Sequence, residues 1–156
     1  MAMQDCLGNA LTLEHEASQP LIDDFVEGFI ASEARAVNVL QLAERDASPI
    51  AQAYVAALHM FAESADARAN ARPFIERALN SPLEATRREW RMVAAIGAWV
   101  EGDLARAIAL HEEQAREHPR DLASLKLGQY HLFNLGDAAG MLRLAKACEA
   151  VAADVP

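Results

Sequence analysis

The chain has little of what carries chemistry in a small protein. Its 156 residues include two cysteines, Cys6 and Cys148, at opposite ends. Thiols that far apart form no metal-ligand or redox spacing, and they predict a reduced, cytoplasmic protein. Seven glycines and six prolines stand between apolar-periodic segments, where they act as punctuation. None of them builds a phosphate-cradling loop, and no serine sits in a nucleophile elbow. No run alternates with period two, which predicts essentially no sheet. No apolar stretch approaches the roughly 20 residues of a membrane span. Met1 to Ala10 lacks the basic start and apolar run of a signal peptide.

Positive charge is also scarce where the chain begins. Residues 1–63 hold ten acids and two basic residues, residues 64–121 ten and nine, and residues 122–156 three and three, so −8, −1 and 0 sum to the net −9. An acidic surface repels phosphates, which predicts no nucleic-acid binding. It is compatible with a basic protein or peptide partner.

What is present is alanine and helical spacing. Hydrophobic residues make up 53% of the chain, and Ala-rich composition favours closely packed helices. Residues 1–17 read as a leader segment and 18–156 as one helical domain. Apolar periodicity and cap signals predict helices over about 19–31, 33–46, 49–63, 71–79, 82–101, 103–117, 122–135 and 137–150. In the second, Val37, Val39, Leu40 and Leu42 are expected inward. Ser48-Pro49 reads as a cap with proline at the first helical position. Ser81-Pro82-Leu83-Glu84 reads as the capping box that opens the fifth helix. The fold class expected is all-α, about eight helices in stacked antiparallel hairpins.

The hairpins repeat. Gly136-Asp137 follows Gly102-Asp103 by 34 residues (136 − 102), the period of the tetratricopeptide repeat, a right-handed solenoid of helix pairs. The first two hairpins depart from it, since Arg68 stands where the corner glycine is expected. In the third hairpin Ala95, Gly102, Ala107 and Pro119 occupy the small, turn, small and closing positions of that repeat. Arg88-Glu89, Ala94-Ala95, Ala98-Trp99, Gly102-Asp103, then His118-Pro119-Arg120-Asp121-Leu122 and Phe133 with Leu135-Gly136-Asp137, form a more particular string. It resembles the amino-terminal part of the tetratricopeptide repeat protein 38-like family. Asp5, Gly8 and Leu11 fit the same pattern. Met92, Gln129 and Tyr130 stand where that family is expected to have histidine, histidine and aspartate. The resemblance implies a helical-repeat scaffold and carries over no polar site.

Tests for chemistry return packing. His111-Glu112 lacks the second histidine four residues on that a zinc helix needs, and His118 lies about 10 Å further along. His59 and His131 sit beside apolar neighbours and read as packed histidines. Asp23-Asp24 and Glu112-Glu113 point apart on a helix and read as solvated faces. No metal, cofactor or catalytic residue is expected. In stacked hairpins the first helix of each pair lines an inner groove. By that register Glu89, Met92, Ile96, Trp99, Lys126, Tyr130, Phe133 and Asn134 are the expected partner-binding residues, with Val55, His59 and Ala62 near them. Aromatics with a few polar groups suit a peptide or a protein partner. The expected function is therefore a non-catalytic interaction scaffold. The alternatives are an enzyme-like protein with a small-molecule site at Trp99, Tyr130 and His131, or a structural oligomer whose groove is filled by itself. The last helix, 137–150, exposes Met141, Leu142 and Leu144 by its pattern and is a candidate homodimer contact.

Overall fold

The structure, a computed structural model, describes residues 2–153. The expectations for Met1 and for 154–156 lie outside the described residues. Seven α-helices dominate: α1 Gln19–Ala31, α2 Pro49–Phe61, α3 Ala67–Leu79, α4 Arg87–Glu101, α5 Leu104–Glu117, α6 Leu122–Asn134 and α7 Ala138–Ala152. The fold is all-α apart from one short hairpin, in which β1 (Met3–Gln4) pairs antiparallel with β2 (Ala10–Leu11). With two residues in each strand, that hairpin leaves essentially no sheet among the described residues, as expected. Its turn is made by Asp5, whose Oδ1 accepts the N–H groups of Leu7 and Asn9, and by Gly8 at φ +84°.

Three antiparallel hairpins, α2/α3, α4/α5 and α6/α7, stack in chain order. The two glycine corners are the same device used twice. Gly102 and Gly136 adopt φ +83° and +72°, a left-handed conformation that glycine takes without steric cost. Asp103 and Asp137 follow as caps, accepting the N–H groups of Arg106 and Gly140. The corner of α2/α3 is Glu63, at φ +50° without being glycine. It lies 39 residues before Gly102 (102 − 63), which is why the 34-residue comparison fell on Arg68.

Two helix starts differ from expectation. α4 opens at Arg87, with Thr86 as cap and Glu89 closing the box, so the box one turn earlier at Ser81 stays in a loop. α3 begins at Ala67 and carries the exposed Pro73 inside it. The predicted helix over 33–46 is a 3-10 segment, Ala34–Leu42. Its burial has period three: Ala36, Val39 and Leu42 face inward while Val37 and Leu40 are exposed. The branched and polar run Val37-Asn38-Val39 has low α-propensity. The segment also lies hard against α1 at Gly28, where a Cβ would stand 2.7 Å from the Ala36 nitrogen.

Part of the expected leader segment, residues 1–17, contributes to the core. Leu7, Leu11 and Leu13 are buried with Ile22, Phe25 and Tyr54 in one cluster.

Candidate functional site

The inner face of the stack, formed by α2, α4 and α6, is covered by the chain's own α1. Phe25 stacks on Tyr54 of α2 at 4.2 Å between ring centroids, and Phe29 lies 5.3 Å from Phe61. At the far end Lys126 of α6 closes the C-terminus of α1. Its Nζ donates to the carbonyls of Phe29 (2.6 Å) and Ile30 (2.9 Å) and to Ser32 Oγ (2.8 Å). A cation there also meets the negative end of the helix dipole. Partial burial lowers the Lys126 pKa.

From α1 the aromatic contacts run on as one chain. Phe61 meets Trp99 and Tyr130 at 5.0 Å each, Trp99 meets His131 at 4.9 Å, and His131 meets His111 at 5.8 Å. Edge-on and tilted rings at these distances are favourable pairs of the core. Tyr130 also donates its hydroxyl to Glu63, the left-handed corner of α2/α3, and burial with that bond raises its pKa. Trp99, Tyr130 and His131 are thus packed against one another, and the small-molecule site expected among them is a ring cluster.

The eight residues expected on an open groove separate into two groups. Glu89, Met92 and Ile96 are fully enclosed and Trp99 is 8% exposed, so they do not line an open surface. Glu89 is covered by Thr12, Trp99 by Phe61, Tyr130 and His131, and Met92 and Ile96 lie in the buried core on a helix that packs against α2. Lys126 and Tyr130 are half-buried, and Phe133 and Asn134 are exposed. Of the residues expected near them, Val55 is buried, while the His59 ring stacks on Phe74 at 5.1 Å.

Glu89 has a different task from the one its register suggested. Its carboxylate accepts Thr12 N–H (2.7 Å), the Thr12 hydroxyl (2.9 Å) and Thr86 N–H (2.8 Å). It caps α4 and fastens residues 10–13 to it. Beside it lies a buried ion pair, Arg88 Nη1 to Asp121 Oδ2 at 2.8 Å, both side chains 3% exposed or less. Arg88 Nη2 donates to the Ala10 carbonyl, and Arg120 Nε to that of Leu7. Gln114 Nε2 donates to Asp121 and to the Arg88 carbonyl, while Arg91 donates to Gln114 and Glu117. Burial pushes the Asp5 carboxyl up, against the hydrogen bonds from Asn9 that lower it. The Arg88 guanidinium, though desolvated, is held charged by Asp121. This network ties the N-termini of α4 and α6 to residues 5–12. The sequence named Arg88 and Asp121 only as motif letters, and Glu89 as a motif letter and a groove residue. Thr12 and Gln114 gave no signal, since Thr12 meets Glu89 77 positions away and Gln114 meets the Arg88 carbonyl 26 positions away.

His111 and His131 are each 1% exposed. His111 Nδ1 shares a hydrogen with Ser124 Oγ at 2.7 Å, and the Nε2 atoms of both rings have no partner in the protein. Burial lowers the pKa of His111 to about 3 and of His131 to about 4. Among the described residues no three His, Cys, Asp or Glu side chains are grouped to hold a metal, and no helix is long and apolar enough to cross a membrane. A cavity of about 550 Å3 lies between His15, Arg45, Gln52, Arg77 and Asn80. Another of about 360 Å3 lies between α3 and α4, over Ile75, Val93 and Gly97. The first is lined by none of the cluster's rings, whereas the second reaches Ala98 and Val100, on either side of Trp99.

Six large apolar side chains are exposed among the described residues: Val37 and Leu40 on the 3-10 segment, Leu79 on α3, and three on α6/α7. Phe133, Leu135 and Leu142 on α6/α7 are 69%, 58% and 57% exposed. No protein-family model, curated protein or solved structure matches the chain.

Proposed function

We propose that the chain is a non-catalytic helical-repeat scaffold of tetratricopeptide type that binds a partner protein. The recurrent glycine–aspartate corners support the repeat type. The surface that serves this role is the outward face of α6/α7, since the inner groove is closed by α1. One observation carries the reading. Phe133 stands 34 residues after Trp99, at the same place in the next hairpin. Trp99 is 8% exposed because α6 covers it, whereas Phe133 is 69% exposed. Large aromatic side chains on open surface mark interaction sites. The two unpaired cysteines support a cytoplasmic location as part of the same proposal.

The test is capture of partners by the tagged chain from native lysate, compared with a Phe133→Asp/Leu142→Asp variant whose circular dichroism is unchanged. The variant is expected to lose them. Recovery of the same partners in equal amount by both proteins would overturn the assignment.

A further inference from the structure

We infer that a cavity of about 270 Å3, between the turn at Gly8-Asn9-Ala10, the N-terminus of α4 and His118, binds a small molecule through a single phosphate group. This site is separate from the surface proposed for a partner protein and shares no residue with it.

Charge singles this cavity out. The chain carries a net −9, and the two larger cavities each have three acids on their walls: Glu14, Glu44 and Asp46 in one, Glu76, Glu101 and Asp103 in the other. Among the described residues this one is lined by Gly8, Asn9, Ala10, Thr86, Arg88 and His118, an arginine and a histidine with no carboxylate. The acids close by are already engaged. Asp5 accepts the N–H groups of Leu7 and Asn9, Asp121 accepts Arg88 and Gln114, and Glu89 accepts Thr12 and Thr86.

Donors remain on the walls. Arg88 is 3% exposed; its two Nη atoms are spent on Asp121 and the Ala10 carbonyl, and its Nε has no partner in the protein. The Thr86 hydroxyl accepts the Glu89 N–H and keeps its own hydrogen to donate. The N–H groups of Arg87 and Arg88 lie in the first turn of α4, where no acceptor within the helix is in reach, and a helix N-terminus favours an anion. His118 is the C-cap of α5. Burial, then the charges of Arg88 and Arg91, lower its pKa, so the local field favours a negative group. These donors come from segments around residues 86–88 and 118, with the 8–10 turn as a third wall. Such an arrangement suits a tetrahedral phosphate, with oxygens on several sides, better than a planar carboxylate. The acidic excess of residues 1–63 repels a polyanion, which makes the ligand one phosphate on a small molecule and not a nucleic acid.

The test uses the whole chain, with inorganic phosphate and glycerol phosphate as probes and sodium chloride and sodium acetate at matched ionic strength as references. The His118 ring resonances and the amide signals of Gly8 and Arg88 are followed by NMR, and Tm is measured alongside. Both phosphates are expected to shift these signals saturably and to raise Tm, since a ligand bound only by the folded state stabilises it. Chloride and acetate are expected to leave them in place. Tighter binding of glycerol phosphate assigns the ligand as a phosphorylated small molecule, and equal binding assigns the phosphate group alone; both support the site. His118→Asp puts a carboxylate on the wall and is expected to weaken binding about tenfold or more, the worth of one hydrogen bond to a charged group. His118→Gln keeps a donor and is expected to weaken it less. Arg88 is left intact because its pair with Asp121 holds the fold. Absence of a saturable shift with either phosphate overturns the inference. So does an equal response to acetate, or unchanged binding by His118→Asp. The partner capture through Phe133 and Leu142 is read in a different assay and stands or fails separately.

Discussion

His111 and His131 face each other across the α5/α6 contact with ring centroids 5.8 Å apart, both closed to water and both neutral. Their neighbours are Ser124, Trp99 and Tyr130, none of which offers a negative charge to a protonated ring.

Acid should therefore destabilise the fold through this pair. The folded pKa values, about 3 and about 4, lie below the 6.5 of an open histidine. Below pH 6.5 the unfolded chain binds protons that the native one refuses, so stability falls as pH falls. The slope is about 1.4 kcal/mol per pH unit for each histidine. Asp46 and Glu117, whose carboxyls are lowered by hydrogen bonds from Ser18, Ser48 and Arg91, add to the loss only nearer pH 4. Urea melts at pH 7, 6 and 5 should show the fall, and His111→Gln/His131→Gln should flatten it. An unchanged slope in the double variant would falsify the assignment.

The Arg88–Asp121 pair should be intolerant of single changes. Arg88→Ala or Asp121→Asn leaves a charge enclosed without its partner, which costs about 3–5 kcal/mol. Replacing both with apolar residues, Arg88→Met/Asp121→Leu, should recover part of that loss. Chemical denaturation midpoints of the three variants check the order. The singles should also release residues 5–12, seen as faster hydrogen exchange there than in α7.

Glycines in two helices should answer the same substitution with opposite signs. At Gly128 an added Cβ would stand 2.7 Å from Leu144 Cδ2 and 2.9 Å from His111 Cβ, so Gly128→Ala overpacks the core and costs about 1–3 kcal/mol. At Gly97 the nearest atom is Ile75 Cγ2 at 3.5 Å, an ordinary contact. Gly97→Ala should stabilise α4 by about 0.5–1 kcal/mol through helix propensity. Thermal melts of the two variants on either side of the native curve are the expected outcome.

The parts of the fold that were legible are those governed by local rules. Helical spacing and the Gly102 and Gly136 corners placed the last two hairpins closely, apart from the start of α4. The first corner was hidden because Glu63 holds a backbone conformation that its residue type does not announce. The 3-10 segment was hidden because Val37 and Leu40 look like core in a period of 3.6 and are surface in a period of three. The site was less legible still. Met92, Ile96 and Glu89 were assigned to an open groove by a register that fits α4. No local signal says that Thr12, 77 residues earlier, lies against Glu89, or that Phe61 and Tyr130 close over the Trp99 end of the same helix. What reads as a free aromatic face within one hairpin is decided by a segment distant in sequence.

The lysine clamp on α1 has a consequence for assembly. The seat of α1 is completed only when Lys126, 96 positions beyond Ile30, has been made. Until then Phe25 and Phe29 have no complete shelter. The chain must either guard that greasy helix transiently or hold it against the first hairpin alone, and closure over such a span is slow. A late kinetic phase, in which aromatic fluorescence changes after most helix has formed, is what this architecture imposes.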